Sequence, residues 1–402
     1  MKNKEKNKIG LFNGALIVLS AVLIVMSAAT LLRDNKDHKV TSSYPSNENF
    51  SSYYSALTQT EMEIYDGIYE SAKLGKVVSS FEKIDVDEYL SATYRAVHAF
   101  SNDHPEFFWM TNGYSAQGNR LLNSYTVEIE CYQYWDYTYD MQKYSDRLQG
   151  EIEKVCKKAE KLPTDYDKVL FVHDYLIKTA EYDHDALKQA EMSVHGAACE
   201  YIYSAYGCLV NKKTVCSGYA KAFQLILNRL GIKCNYVRGN ANGDSHGWNS
   251  VVLDDMQYYV DVTWDDSDIK KKDGTPLYPN DSEYEYFCIT TKELEKTHTP
   301  ENTLFAPPLC TAEKYNYFVY NGYLLKDYKF DKVSSIFKKQ SGKNILSVKF
   351  NDSSDVLDAK ADLVDNGALY NIIKDKEQIA YVTDVKHNVF KIYRNYTGVQ
   401  SK

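Results

Sequence analysis

Between residues 214 and 266 the hydrophobic pattern changes period from helix to strand. After Cys216, apolar residues at Ala220, Phe223, Leu227 and Leu230 recur at helical spacing, and Gly231 follows as a stop. This predicts a helix that starts at or just after Cys216. Residues 234–238 then read as a short strand and 240–244 as a turn. Two more strands, 246–253 and 257–263, meet at Asp254-Asp255. If that pair is a two-residue hairpin loop, Leu253 pairs with Met256 and Trp248 falls opposite Asp261. His246 is two residues from Trp248 and shares its face, so His246 and Asp261 become diagonal neighbours, roughly 7–8 Å apart between backbones. A slip of one residue would put them on opposite faces. Asp-Asp suits a type I′ turn less well than Asp-Gly, so the register rests on the pattern of the strands.

The flanks divide the chain further. Residues 61–74 and 87–100 carry helical periodicity, 104–109 reads as a turn entering a strand, and 124–139 alternates with many aromatics. Such a strand suits a half-buried sheet face, with glycan or peptide binding as the rival reading. Residues 140–162 return to helix, and 166–180 form an amphipathic helix expected to pack beneath the Cys216 helix. His173-Asp174 lies on it and reads as a satisfied structural pair rather than a second charge relay. Beyond Pro307-Pro308, strands are predicted near 315–325, 345–350, 378–383 and 389–393, with helices near 332–339 and 354–366. The expected organisation is 1–33 as cytoplasmic stub and anchor, 34–52 as linker, 53–162 as an accessory region, 163–306 as the core, and 307–402 as a second accessory region. The fold class is α+β.

Composition narrows the setting. The 402 residues carry a net charge of −8, and no long basic run lies outside the N-terminus, which argues against a nucleic-acid partner. Lys2, Lys4, Lys6 and Lys8 precede an uncharged, mostly apolar stretch at 9–32, long enough to span a bilayer. The lysines predict an N-inside, single-pass anchor with the bulk of the chain extracellular. A cleaved signal ending near Ser27-Ala28-Ala29 is the alternative. The 36 tyrosines fit aromatic β-structure better than disorder. Of eight cysteines, one reserved nucleophile leaves an odd number with no framework spacing, so no bridges are assigned. His195 with Cys199, and Asp183-His184-Asp185, lack a matching second pair of ligands, so no metal is expected.

Taken singly, a cysteine or a histidine is usually structural. Cys216 at a helix start, with His246 and Asp261 on one hairpin, is a different proposition. A helix N-terminus favours a thiolate. His246 would move the thiol proton to a leaving amine, and Asp261 would orient and charge-stabilise the imidazole. The segments V-C-S-G-Y-A-K-A-F, H-G-W-N and Y-Y-V-D-V-T-W-D-D resemble the core of the bacterial transglutaminase-like superfamily. So do 171–183, 204–210 and 286–294, and the likeness covers about 165–300. Ser217 and Gly247 are mild departures, since relatives often carry Glu or Gln after the cysteine and Ala after the histidine. The resemblance implies a papain-like fold, with a helix packed on an antiparallel sheet, and a Cys216–His246–Asp261 triad. It leaves open cross-linking, deamidation or proteolysis of a protein or peptide substrate, including cell-wall peptide, as well as a non-catalytic binding module. No cofactor is required, and no acidic calcium loop is visible. The oxyanion would need the Cys216 backbone N–H and a second donor. Tyr206 and Gln224 are candidates for that role, and Trp248 and Trp264 for walls of the cleft or for packing against the Cys216 helix.

Overall fold

The helix predicted to open at Cys216 does so, running Cys216–Arg229 in the computed structural model, which describes residues 52–132, 141–192, 199–266, 281–373 and 379–394. Its end is a Schellman motif. Gly231 adopts φ 79°, its N–H bonds Asn228 O at 3.1 Å, and Ile232 N–H bonds Leu227 O at 2.9 Å. The face carrying Ala220, Phe223 and Leu227 is buried against an antiparallel sheet.

Among the described residues, three sheets and a two-stranded ribbon organise the rest. Near the N-terminus, β1 (Val78–Glu82), β2 (Met110–Asn119) and β3 (Ser124–Cys131) form a sheet ordered β1-β3-β2. Helices Gln59–Lys73 and Val86–Asp103 accompany it, the first started by a capping box between Thr58 and Glu61. Within β3, Tyr125, Val127 and Ile129 are buried while Glu128 and Glu130 face out, the half-buried face expected. The second half of the expected aromatic strand lies at 133–140, outside the described residues. Helices Met141–Ala159 and Asp165–Thr179 follow, and the ribbon pairs β4 (Glu181–Tyr182) with β5 (Lys213–Thr214).

The central sheet comprises β6 (Cys234–Ala241), β7 (Asp244–Leu253), β8 (Met256–Val260), β9 (Phe287–Ile289) and β10 (His298–Pro300), in the order β10-β6-β7-β8-β9. Leu253 pairs with Met256, and Asp254 and Asp255 both take positive φ, 49° and 59°. The hairpin therefore has the two-residue geometry expected of it. Asp254 also accepts from Tyr315 Oη at 2.7 Å and pairs with Lys314, which holds an otherwise poor turn sequence in place. Two boundaries differ from expectation. The first turn is only Asn242-Gly243, because that dipeptide supplies both positive-φ positions and lets β6 continue to Ala241. The last strand ends at Val260 rather than 263, because Asp261 caps the following turn with its own carboxylate.

The C-terminal region holds β11 (Leu324–Leu325), β12 (Ile345–Phe350), β13 (Ala380–Asp384) and β14 (Val389–Tyr393), ordered β11-β12-β14-β13, with helices Phe330–Lys339 and Ser353–Lys360. The strands expected across 315–325 reduce to β11. Asn316 accepts from Phe318 N–H and starts a one-turn helix, Tyr317–Tyr320. Residues 1–51, which contain the expected membrane segment, lie outside the described residues. Among the described residues no helix is long and apolar enough to cross a membrane.

Candidate active site

Cys216 is the first residue of its helix and opens onto a cleft of about 1060 Å³ that His246 and Trp264 also line. All eight cysteines are free thiols. Burial pushes Cys208 up to about 12 and raises Cys156, Cys234, Cys288 and Cys310 as well.

His246 stands near the start of β7, half-buried, its ring stacked 5.9 Å from Trp248. Its Nε2 donates to Asp261 Oδ2 at 2.7 Å. Burial alone would lower its pKa, but the Asp261 charge and hydrogen bond outweigh this. The nearby Cys216 acts in the same direction, and together they raise His246 to about 10. The structure therefore joins His246 directly to Asp261 and puts Cys216 and His246 on the same cleft.

Asp261 sits one residue past β8 and is 1% exposed. Its Oδ1 accepts from Thr263 N–H at 2.9 Å and Trp264 N–H at 3.2 Å, leaving Oδ2 for His246. Burial would raise this carboxyl, yet the charge and hydrogen bonds of His246, with help from His298, hold it well below the usual carboxylate range. It is built to remain an anion.

His298 was not anticipated. Its Nε2 donates to the same Asp261 Oδ2 at 3.0 Å, and its Nδ1 lies 2.8 Å from Thr297 Oγ1. Strand β10, which carries it, pairs with β6 through His298 and Ala241. Asp261 thus bridges two imidazoles. His246, Asp261 and His298 also place one possible metal-ligand atom each within 4.8 Å of one another. Those atoms are already spent on hydrogen bonds, and Asp261 and His298 are sealed from solvent.

The other expected residues separate. Trp264 lines the cleft and packs on His246 at 6.0 Å and His298 at 4.6 Å. Trp248 is fully buried and backs the His246 ring instead of walling the cleft. Tyr206 and Gln224 do not reach the cleft. Tyr206 packs in the core against Phe108 at 5.1 Å and Tyr144 at 5.8 Å, and Gln224 Nε2 donates to Asn102 O at 2.9 Å more than two helical turns beyond Cys216. The departure at Gly247 has a steric cause. A Cβ there would lie 2.5 Å from Tyr236 Oη and 2.7 Å from its ring, so the glycine makes room for a tyrosine that lines the cleft beside His246.

His173 is the buried structural histidine expected. It joins Asp174 at 2.9 Å and Asp265 at 3.2 Å, on a helix facing the Asp261 turn. Burial opposes its charge, but the two carboxylates raise it to about 9. Asp183 accepts from Ala186 N–H and caps the helix His184–Met192, a structural use. His195 lies outside the described residues.

Comparison with known proteins adds a likeness in sequence. Residues 153–263 match the family model of the transglutaminase-like superfamily. In sequence the chain is similar to the kyphoscoliosis peptidases of Mus musculus, 25% identical, and Homo sapiens, 26% identical. Each likeness extends over 176 residues, 40% of this chain and 25% of the relative. The chain thus spans about a quarter of the length of the curated relatives it matches. Among solved structures it is similar to a TGase at 20% identity, covering 38% of this chain and 44% of that one with a TM-score of 0.28. The chain carries a transglutaminase-like superfamily core in an α+β fold.

Proposed function

We propose that this protein is an extracellular, membrane-anchored cysteine acyl-transfer enzyme acting on carboxamide or peptide bonds of a protein or peptide. The observation that supports it most is the His246 imidazole, hydrogen-bonded to the buried Asp261 and lining the same cleft as the Cys216 thiol. The raised His246 favours the imidazolium, the partner a thiolate needs and the acid a leaving amine needs.

In the acylation half, Cys216 Sγ forms a bond to the acyl carbon and the C–N bond breaks. His246 delivers its proton to the departing nitrogen, so ammonia or an amine leaves and a thioester remains. The Cys216 backbone N–H, at a helix start, is placed to donate to the oxyanion. In the second half an amine or water attacks the thioester carbon, the C–S bond breaks to release the Cys216 thiolate, and His246 takes up the proton. An attacking lysine amine yields a cross-link, and water yields deamidation or cleavage. No cofactor enters this scheme.

Cleavage is the second reading, favoured by the likeness to proteins named as peptidases. Mass spectrometry of surface peptides incubated with the full chain and a primary amine separates the outcomes. Amine incorporation marks cross-linking, a gain of about one dalton marks deamidation, and new termini mark proteolysis. Absence of all three with wild-type protein, or their persistence in Cys216→Ala, would overturn the reading.

A further inference from the structure

Two cations, Lys221 and Arg238, line the cleft and make no ion pair among the described residues. Lys221 lies five residues along the helix from Cys216. Arg238 lies on β6, paired in register with Gly247, the residue after His246. Both line the cleft. Lys221 Nζ donates to the Tyr203 carbonyl at 3.2 Å, and Arg238 Nη1 lies 3.4 Å from His98 Nδ1. Among the described residues neither meets a carboxylate within 4.0 Å.

The carboxylates that share the cleft are placed otherwise. Asp266 accepts from Tyr219 Oη at 2.8 Å, and Glu191 and Asp244 are exposed. Burial, then the charge of Arg238, pushes Lys221 down to about 8, with Cys216 pulling the other way. Holding two like charges close together in a partly desolvated wall is unfavourable unless an anion joins them. Arg238 keeps guanidinium donors in a fixed fork suited to a carboxylate, and Lys221 keeps two of its three ammonium donors. The ring of Tyr236, 5.8 Å from Lys221 Nζ, forms the floor between the helix and the sheet.

We propose that Lys221 and Arg238 form a carboxylate subsite, so that the acyl donor is a peptide bearing a free carboxylate close to the carbonyl that Cys216 attacks. This rests on the acyl-transfer reading for the identity of the ligand as a donor substrate. The subsite itself is testable without turnover. Serving only to support a thiolate is the competing role for the same two cations, and the experiment must separate the two.

Alkylation of Cys216 in the full chain, solubilised in detergent, does so. Iodoacetate and iodoacetamide make the same S–C bond and lose the same iodide, but only the first carries a carboxylate. Rates at Cys216 are read by peptide mass spectrometry for wild type, Lys221→Gln and Arg238→Gln. The expected result is an iodoacetate-to-iodoacetamide rate ratio that falls at least ten-fold in each variant, with the iodoacetamide rate changing less. An unchanged ratio, or equal loss of both rates, overturns the subsite, because a thiolate-supporting cation acts on both reagents alike. Should a glutamine variant fail to fold by circular dichroism, wild type carries the test. Glutarate should protect Cys216 from iodoacetamide and glutaramide should not, and equal protection refutes the proposal. A charge-selective ratio in a chain with no turnover would leave the subsite standing and remove the reaction. Turnover without charge selectivity would do the reverse.

Discussion

Asp261→Asn is the most informative single change, because the carboxylate has a different consequence for each of its partners. With His246 raised from its ordinary 6.5 to about 10, at ~1.36 kcal/mol per pH unit, the surroundings favour its imidazolium by roughly 5 kcal/mol. Asp261 supplies the leading favourable part through its charge and a 2.7 Å hydrogen bond, with Cys216 contributing less. An asparagine is nearly isosteric and can keep the Thr263 and Trp264 N–H bonds through its oxygen. Its amide group would then face the Nε2 atoms of His246 and His298, favouring the wrong tautomer and giving no charge. Turnover is expected to fall by about 10³-fold or more, mostly in kcat.

The same change has a stability signature with a fixed sign. The folded His246 pKa lies above the unfolded one, so the native state holds the extra proton between about 6.5 and about 10. That stabilisation is complete below 6.5 and is lost as pH rises through 10. Urea denaturation at pH 6, 8 and 10 should show wild type losing stability along this limb, and the wild-type-minus-variant difference should shrink across it. His173, raised to about 9, titrates in the same window in both proteins and cancels in the difference. If Asp261→Asn retains turnover within ten-fold of wild type, or the difference does not change from pH 6 to pH 10, the charge argument for the site is wrong.

The remaining tests address separate parts. Cys216 should be the first cysteine alkylated near neutral pH, because it opens onto the cleft while five of the others are buried; uniform labelling of the folded protein would remove its special status. His298→Ala should lower kcat by about ten-fold with little change in KM, and His298→Gln, which keeps a donor, should recover part of it. An alanine variant that shifts only melting temperature, with kcat and its alkaline pH limb unchanged, would make His298 merely structural. Gly247→Ala should cost about 1–3 kcal/mol in urea unfolding, because the new Cβ meets the Tyr236 ring; paired with Tyr236→Ala the penalty should largely vanish, and additive losses would refute the steric cause. Protease added to intact protoplasts should digest the chain beyond the linker, and complete protection would reverse the expected topology.

What could be read from the chain followed from how local the determining signal was. The Cys216 helix needs only its own apolar period and Gly231. The Asp254–Asp255 hairpin needs only two alternating strands and the loop between them, and its register places His246 near Asp261. Boundaries failed where a side chain captures backbone. Asp261 ends β8 by accepting two N–H groups, and Asn316 turns an aromatic run into a helical turn. His298 had no readable signal. It is a lone histidine 37 residues past Asp261, brought there only when β10 joins the far edge of the sheet beside β6. Tyr206 and Gln224 are turned away from the cleft by packing against Phe108 and Tyr144 and by a bond to Asn102, contacts with residues distant in the chain. Gly247 read as a departure until the position of Tyr236 explained it.

The segment V-D-V-T-W-D-D explains why Asp261 can be held so firmly at the end of a strand. Each of its three carboxylates after Tyr259 is committed to a different neighbour. Asp261 takes His246, His298 and two backbone N–H groups, Asp265 takes His173 and the Tyr286 N–H, and Asp266 takes Tyr219 on the Cys216 helix. The turn is therefore tied at once to the 165–179 helix, the Cys216 helix, β7 and β10. The C-terminal region reinforces the same place from outside. Tyr286 Oη lies 3.3 Å from His387 Nε2, and Lys391 on β14 pairs with Glu283 and, at 3.1 Å, with the buried Glu285. Such buried ion pairs add little net stability, but breaking one is costly, so they restrict the arrangements the turn can adopt. A site that needs a carboxylate within hydrogen-bond reach of one imidazole has obtained it by fastening the whole turn. On this argument the region beyond residue 307 steadies the turn that carries Asp261, and among its described residues none lines the cleft.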